Sequence, residues 1–394
     1  MQKHKQQRSV TKKEITKSWT GAAQRTRPPL CFGRVGKKMR KSNKSFISIL
    51  SFSALSILIS ACTPPMPPDV LAAVAEQQVT CAEGQLNIAL DEFNIPVIQS
   101  INDLYLSSCP DLTINLINDA ATADIVISDG SPDGITICAN PVAQVPVMVE
   151  STGVAFNLAG VSGIVLDAQT IDKIYKGEIT DWADPAIVAL NPEFELTSTP
   201  ITTLGLNKKT ASDQAFVEWM DRLGATGFQN VATTGFETSL ELVDALALTD
   251  GAISIMPGSI MSENALSGIS IKTEDGDVTY DLTSITSAST QAMSEINGDI
   301  ITVSLDPNKP VSAEAGSDEL TLPWQAISWV NLAICKADKT DLKNSATARF
   351  FLRQDAQGQL SVFGYGALDE SLRLSSAGIV GKNLPLPSEI PVTE

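Results

Sequence analysis

Past residue 80, short β-branched runs alternate with segments whose apolar positions recur every three or four residues. Leu86–Leu90, Leu112–Ile117 and Asp124–Asp129 read as strands. Pro96–Leu106 reads as a helix, with Val97, Ile98, Ile101, Leu104 and Tyr105 on one face. Val145–Phe156 is a long β-rich run. Ala168–Tyr175, Ser212–Leu223 and Thr238–Ala247 are helical, and Ala252–Met256 is another strand. Trp324–Ile334, rich in Ile, Val and Ala, is a late strand. The order predicts an α/β protein with mainly parallel sheets. In such folds ligands sit beyond the carboxyl ends of strands, near helix N-termini.

The 314 residues from 81 to 394 exceed what one small core organises, so two lobes are expected. The two long β runs suggest how the lobes join. If both cross between them, lobe one is discontinuous, 81–150 plus 322–394, and lobe two is 151–321. That is the layout of a binding protein that closes about a hinge.

The N-terminal pattern is different. A basic stretch, Lys37–Lys44, precedes an apolar run from Phe46 to Ile59, then Ser60, Ala61 and Cys62. A charged region, an apolar region, small residues and then Cys make a secretory signal. The run resembles the bacterial lipobox, which implies cleavage before Cys62 and a lipid on its thiol. The alternative is a transmembrane helix with a chance cysteine, but the run is short for a span. Residues 1–61 are therefore read as a signal region, within which Met39 begins a normal signal by itself. Residues 62–80 are a tether, Pro-rich at Thr63–Pro68 and then helical over Val70–Gln78.

Removing the signal changes the charge. The whole chain has 28 Lys and Arg against 45 Asp and Glu. Residues 1–61 contain 14 of the basic residues and one acid, leaving 14 against 44 and a net charge near −30. Such a field disfavours nucleic acid and anionic membrane surfaces. An anionic ligand would have to be held by local hydrogen bonds and dipoles. The single histidine, His4, falls in the signal region, which removes His triads, His bases and His metal ligands from the exported part. No metal-ligand spacing occurs, so no metal, no cofactor and no enzymatic activity are expected. Four cysteines remain after Cys31 and Cys62, an even number suited to an oxidising compartment. Cys81 and Cys109 each precede a strand, and adjacent parallel strands would bring them together. Cys138 precedes one long strand and Cys335 ends the other, which an antiparallel pairing would bring close. Cys81–Cys109 and Cys138–Cys335 are the favoured pairs, with four free thiols as the alternative.

The most specific stretch runs Gly163–Ile187 and on to Leu190-Asn191-Pro192, including Ile174-Tyr175-Lys176-Gly177-Glu178-Ile179 and Trp182-Ala183-Asp184-Pro185-Ala186-Ile187. It resembles the phosphate-binding periplasmic protein family, the substrate-binding component of phosphate ABC transporters. By residue type the stretch is structural: Ile171, Ile174 and Tyr175 line a short helix, Gly177 caps it and Asp184-Pro185 opens another. The resemblance implies a two-lobed type II periplasmic-binding-protein fold. It also implies an extracytoplasmic, lipid-anchored protein that captures phosphate or a related oxyanion between lobes for an ABC permease.

Position by position, the resemblance transfers unevenly. In the loop after strand one, Phe93 is retained and Glu92 stands where the family has Thr. After Ile117 the family's Gly-Ser loop and helix are deleted, leaving Asn118 and Thr122 as substitutes. Ser128-Asp129 matches a Ser-Asp motif beside the anion; an Asx turn is the alternative. In the lobe-two anion loop Leu206 falls at the family's Arg place and Lys208 replaces its Asp, while Lys209, Thr210 and Ser212 open a helix. The implied ligand set is Phe93, Ser128, Asp129, Lys208, Lys209, Thr210 and Ser212; simple N-capping by Thr210 or Ser212 is the alternative. These departures leave a second reading open, a relative with altered or lost ligand.

Overall fold

The computed structural model describes residues 78–312, 321–337 and 342–385. The signal region, Met39, Cys62 and the helix expected over Val70–Gln78 lie outside the described residues, apart from Gln78 itself. Thirteen strands are described: β1 (Gly84–Leu90), β2 (Leu112–Ile117), β3 (Ile125–Ser128), β4 (Ala143–Asn157), β5 (Val165–Asp167), β6 (Thr202–Leu206), β7 (Thr234–Phe236), β8 (Ala252–Pro257), β9 (Ser270–Lys272), β10 (Asp277–Thr279), β11 (Ala292–Asn297), β12 (Ile300–Leu305) and β13 (Ile327–Ile334). Hydrogen-bonded neighbours run β2-β1-β3-β13-β4-β8-β6-β7, two sheets joined through β4, and β10-β9-β5 form a separate small sheet.

β4 joins the two halves. Its 15 residues are almost continuously buried, which its apolar sequence requires. From Ala143 to Ser151 it pairs with β13, and from Thr152 to Asn157 with β8. One strand thus belongs to two curled sheets, and the partner changes between Ser151 and Thr152. Gly153 follows the change because a Cβ there would meet Met261 Sδ at 2.5 Å and the Tyr280 ring at 2.9 Å.

The return passage differs from the expected strand Trp324–Ile334. Pairing begins only at Ile327, and residues 321–326 are irregular. Pro323 lacks an N–H for a ladder. The segment is instead fastened to the hinge, where Trp324 Nε1 donates to Thr152 O (2.8 Å) and Thr152 N donates to Ala326 O (3.0 Å). The sheets are also more mixed than expected. The outer strands β1, β2, β3 and β6, β7, β8 pair in parallel within their groups, but β13, β4 and β8 are antiparallel. A β11–β12 hairpin, from the middle of the chain, reaches back to pair with Gln144 in the first half of β4.

Packing around the hinge is aromatic. Trp324 lies edge-on to Trp219 (4.9 Å) and to Tyr280 (5.0 Å), and Trp219 to Phe216 (6.4 Å). Such edge contacts contribute roughly 0.5–1.5 kcal/mol each beyond area burial. They pin the helix Ala211–Arg222 to the point where the strand changes sheets. Two disulfides close the first half, Cys81–Cys109 (Cα–Cα 5.2 Å) and Cys138–Cys335 (5.8 Å). The first joins the lead-ins of parallel β1 and β2, and the second joins segments flanking antiparallel β4 and β13. Among the described residues no helix is long and apolar enough to cross a membrane.

Candidate functional site

The loops after β1 and β3 meet the N-terminus of the helix Ala211–Arg222 across the cleft. Thr210 is the N-cap. Its Oγ1 accepts from Asp213 N (3.3 Å) and its N–H donates to Asp213 Oδ2 (2.8 Å), a reciprocal capping box. The Ser212 hydroxyl lies in a chain from Thr210 Oγ1 (2.9 Å) to Thr152 Oγ1 on the hinge strand (2.9 Å). The capping alternative for Thr210 is therefore realised, and Ser212 ties the helix to the hinge.

The helix N-terminus attracts negative charge, and lobe one supplies it. Asp129 Oδ2 accepts from Ala211 N at 2.8 Å, while its Oδ1 accepts from Ser131 N at 2.9 Å. Asp133 Oδ2 accepts from Lys209 N at 3.1 Å. Lys208 Nζ donates to Asp91 Oδ1 at 2.7 Å, and Ile135 N donates to Asp91 Oδ2 at 2.9 Å. Three carboxylates from one side thus bridge to three consecutive or near-consecutive groups on the other. Lys208 also stands 5.5 Å from the Phe93 ring centroid, a cation–π contact.

The seven expected residues do not form one shell. Asp129, Lys208, Lys209, Thr210 and Ser212 converge on the cleft. Phe93 contributes its ring beneath Lys208, and its carbonyl accepts from Tyr365 Oη (3.0 Å). Ser128 is fully buried and its hydroxyl serves its own turn, donating to Ile135 O and accepting from Gly130 N (3.1 Å). Glu92 is exposed and lines the same groove as Asp133 and Lys208. Leu206 is packed in the apolar cluster with Leu204, Leu242 and Met256. Thr122 bonds to Asp119 rather than to the cleft. The shortened link between β2 and β3 borders an open groove of about 730 Å³, lined in part by Glu92, Ile95, Asn118, Asp133 and Lys208.

Four acidic residues of the cleft escaped the sequence reading as candidates: Asp91, Asp133, Glu150 and Asp213. One signal was available, because Glu150 is the single charge inside the apolar run Val145–Phe156. Its carboxyl is pushed well above the ordinary range, first by burial and then by Asp129, Asp213 and Asp91. Burial also raises Asp213, opposed by its bonds to Thr210 and by the Lys209 charge. Burial lowers Lys209, opposed by Asp213 and Asp133. Among the described residues no group of His, Cys, Asp or Glu is arranged to hold a metal ion. The arrangement gathers backbone N–H groups, hydroxyls, lysines and carboxylates at the start of one helix.

Comparison with known proteins agrees with the architecture. A family described as a PBP superfamily domain matches residues 114–319, just over half of the chain. The phosphate-binding protein PstS2 of Mycobacterium bovis (strain BCG / Pasteur 1173P2) is 28% identical over 194 residues, 45% of this chain and 48% of that protein. PstS3 of the same strain is 30% identical over 124 residues, 31% of this chain and 34% of its own length. The chain thus spans about half or less of the curated relatives it matches. Among solved structures, the high-affinity periplasmic phosphate-binding protein PfluDING with bound phosphate superposes with a TM-score of 0.51. It is 13% identical and covers 74% of this chain and 92% of its own. An ancestral soluble variant of the human phosphate binding protein gives 0.50 at 12% identity, covering 74% and 93%. With two sheets sharing the hinge strand β4 and a cleft at a helix N-terminus, the chain belongs to the PBP superfamily and has its two-lobed, type II periplasmic-binding fold.

Proposed function

We propose that this protein is an extracytoplasmic, lipid-anchored binding protein of an ABC importer, capturing phosphate or a similar oxyanion between its lobes. The observation that carries the reading is the Asp129 carboxylate seated on Ala211 N at 2.8 Å. A lobe-one oxyanion group already occupies the first turn of the lobe-two helix, as a ligand oxygen would. Ligand entry replaces that contact, and differential binding to the closed arrangement drives closure about β4. The phosphate-binding relatives support the ligand class. The lipobox-like run at Cys62 supports the anchor, and the family supports the permease partner.

Calorimetry with phosphate, sulfate and molybdate tests the ligand. Saturable binding of one of them supports the reading, and silence for all three overturns it. A Lys208→Ala variant is expected to bind about tenfold to a hundredfold more weakly, the scale of a charge-assisted bond. Cys62→Ser is expected to move the protein from the membrane fraction to the soluble fraction, and unchanged retention would refute the lipid anchor.

A second reading, the same fold with altered or lost ligand, is favoured by a specific observation. Lys208 Nζ, Lys209 N and Ala211 N are each engaged by a carboxylate of lobe one. Leu206 is apolar and buried at the place where the resemblance puts Arg. A protein silent to every oxyanion would fit this reading, with a sensing, adhesion or envelope role.

A further inference from the structure

Glu150 is a buried carboxyl on the strand that joins the two halves. It lies on β4 two positions before the strand changes partner. It is 2% exposed, and its Oε2 has no hydrogen-bond partner. Asp91 from the β1 loop, Asp129 from the β3 loop and Asp213 from the lobe-two helix all act on it with like charge. The Ser212 hydroxyl acts in the opposite sense. Two phenols are also within its field. Tyr280 is pushed up to about 12, by burial first and in part by Glu150, and Tyr365 is raised by the same causes. The nearby cations are committed elsewhere, Lys208 to Asp91 and Lys209 toward Asp213 and Asp133.

An ionised carboxylate in this position would be buried, short of a donor and surrounded by its own sign. The neutral form removes the charge and creates an O–H donor. That donor then needs an acceptor, and the protein supplies none to Oε2. The Ser212 hydroxyl that acts on this carboxyl also bonds Thr210 Oγ1 at 2.9 Å, the N-cap of the helix turn proposed above as the anion seat.

We propose that Glu150 is a ligand-reading group: a neutral carboxyl whose O–H donates to an oxygen of the bound anion, so that anion and proton are held together. This rests on the anion reading of the cleft. The proton comes from solvent and stays on Glu150, and no bond in the ligand forms or breaks. Affinity is therefore full while Glu150 is protonated in the complex and falls as pH rises through its titration. The limiting slope is about tenfold per pH unit for one proton.

Titration calorimetry of the purified protein from pH 5.5 to 9 tests this, with sulfate as an anion that does not itself titrate there and phosphate in parallel. The wild-type protein is expected to lose affinity with rising pH. Glu150→Gln keeps a neutral donor of the same shape and is expected to bind with a flat sulfate profile. Glu150→Leu removes the donor and is expected to bind at least about tenfold more weakly at the acid end. If phosphate alone binds, the wild-type-to-Gln difference cancels phosphate's own titration. Parallel pH profiles for wild type and Glu150→Gln overturn the proposal while leaving the anion site standing. No binding of sulfate, phosphate or molybdate at any pH overturns both.

Discussion

The segment 163–192 and the helix start at Ala211 belong to the same half of the molecule, yet they meet their polar groups in different ways. In the first, the helix caps are local. Asp167 caps one short helix through Thr170 N (2.7 Å), and Asp184 caps the next through Ala186 N (2.8 Å). Asn191 accepts from Val165 N and donates to the carbonyls of Val165 and Ile187, all within 2.9 Å. Trp182 is fully buried with its Nε1 donating to Gly251 O (3.0 Å), and Gly177 takes the left-handed conformation (φ 72°) that ends the helix. In the cleft, Lys208 Nζ, Lys209 N and Ala211 N each find a carboxylate more than 70 residues away in sequence, and one Glu150 oxygen finds nothing. The scaffold's helix caps close locally, although Trp182 Nε1 reaches Gly251 O, Tyr175 Oη accepts from Ile255 N, and Asp172 Oδ1 has no partner. The polar groups of the site are held by long-range charge pairs that a ligand or a proton can rearrange.

The comparison can be broken by mutation. Trp182→Ala should be the most damaging change, costing about 3–5 kcal/mol by urea denaturation; a loss below about 1 kcal/mol would show that the segment is not a rigid scaffold. Replacing Cys138 and Cys335 together by Ser should cost about 2–4 kcal/mol in the same assay. That crosslink spans 197 residues. An unchanged midpoint would mean that the carboxylate loop of residues 129–135 is held without it.

A pH series sharpens the contrast on the cleft side. The folded state raises Glu150 above its ordinary value of 4.5, so it binds more protons than the unfolded chain. The stabilisation is present below that value and declines as pH rises through the raised folded value, by at most about 1.4 kcal/mol per pH unit. Glu150→Gln should remove this decline relative to wild type. An identical pH dependence in the two proteins would place the proton elsewhere. The smallest effect is expected on the scaffold surface, where Lys176 pairs with Asp172 at 2.6 Å. Lys176→Ala should change stability by no more than about 0.5 kcal/mol; a larger loss would show that surface charge also matters there.

Much of the scaffold was legible because its signals are local. The long apolar run of β4, the helical spacing of Val97, Ile98, Ile101 and Tyr105, and the caps at Asp184-Pro185 and Gly177 each act within a few residues. The disulfide pairs were legible because strand order fixes where the cysteines meet. The return passage was misread over Trp324–Ala326. Apolar content there reflects burial against Trp219 and Tyr280, not strand pairing, and residue type does not distinguish the two. In the cleft, the hydroxyls and lysines of 208–212 were legible as a helix start. Asp91, Asp133 and Asp213 were not, because an acid in a loop or a first helical turn is ordinary until its partner is known.

The sequence alone determined the α/β alternation, the strongly acidic character after Cys62 and the absence of histidine from that part. Those properties follow from residue type, composition and short-range spacing. Tertiary structure alone decided that Asp129 sits on Ala211 N, that Asp91 holds Lys208, and that Glu150 lies buried among three other carboxylates. Those residues come from four separate segments. Their charges acquire shifted proton affinities and shared donors only when β4 and the 211–222 helix bring them together out of water.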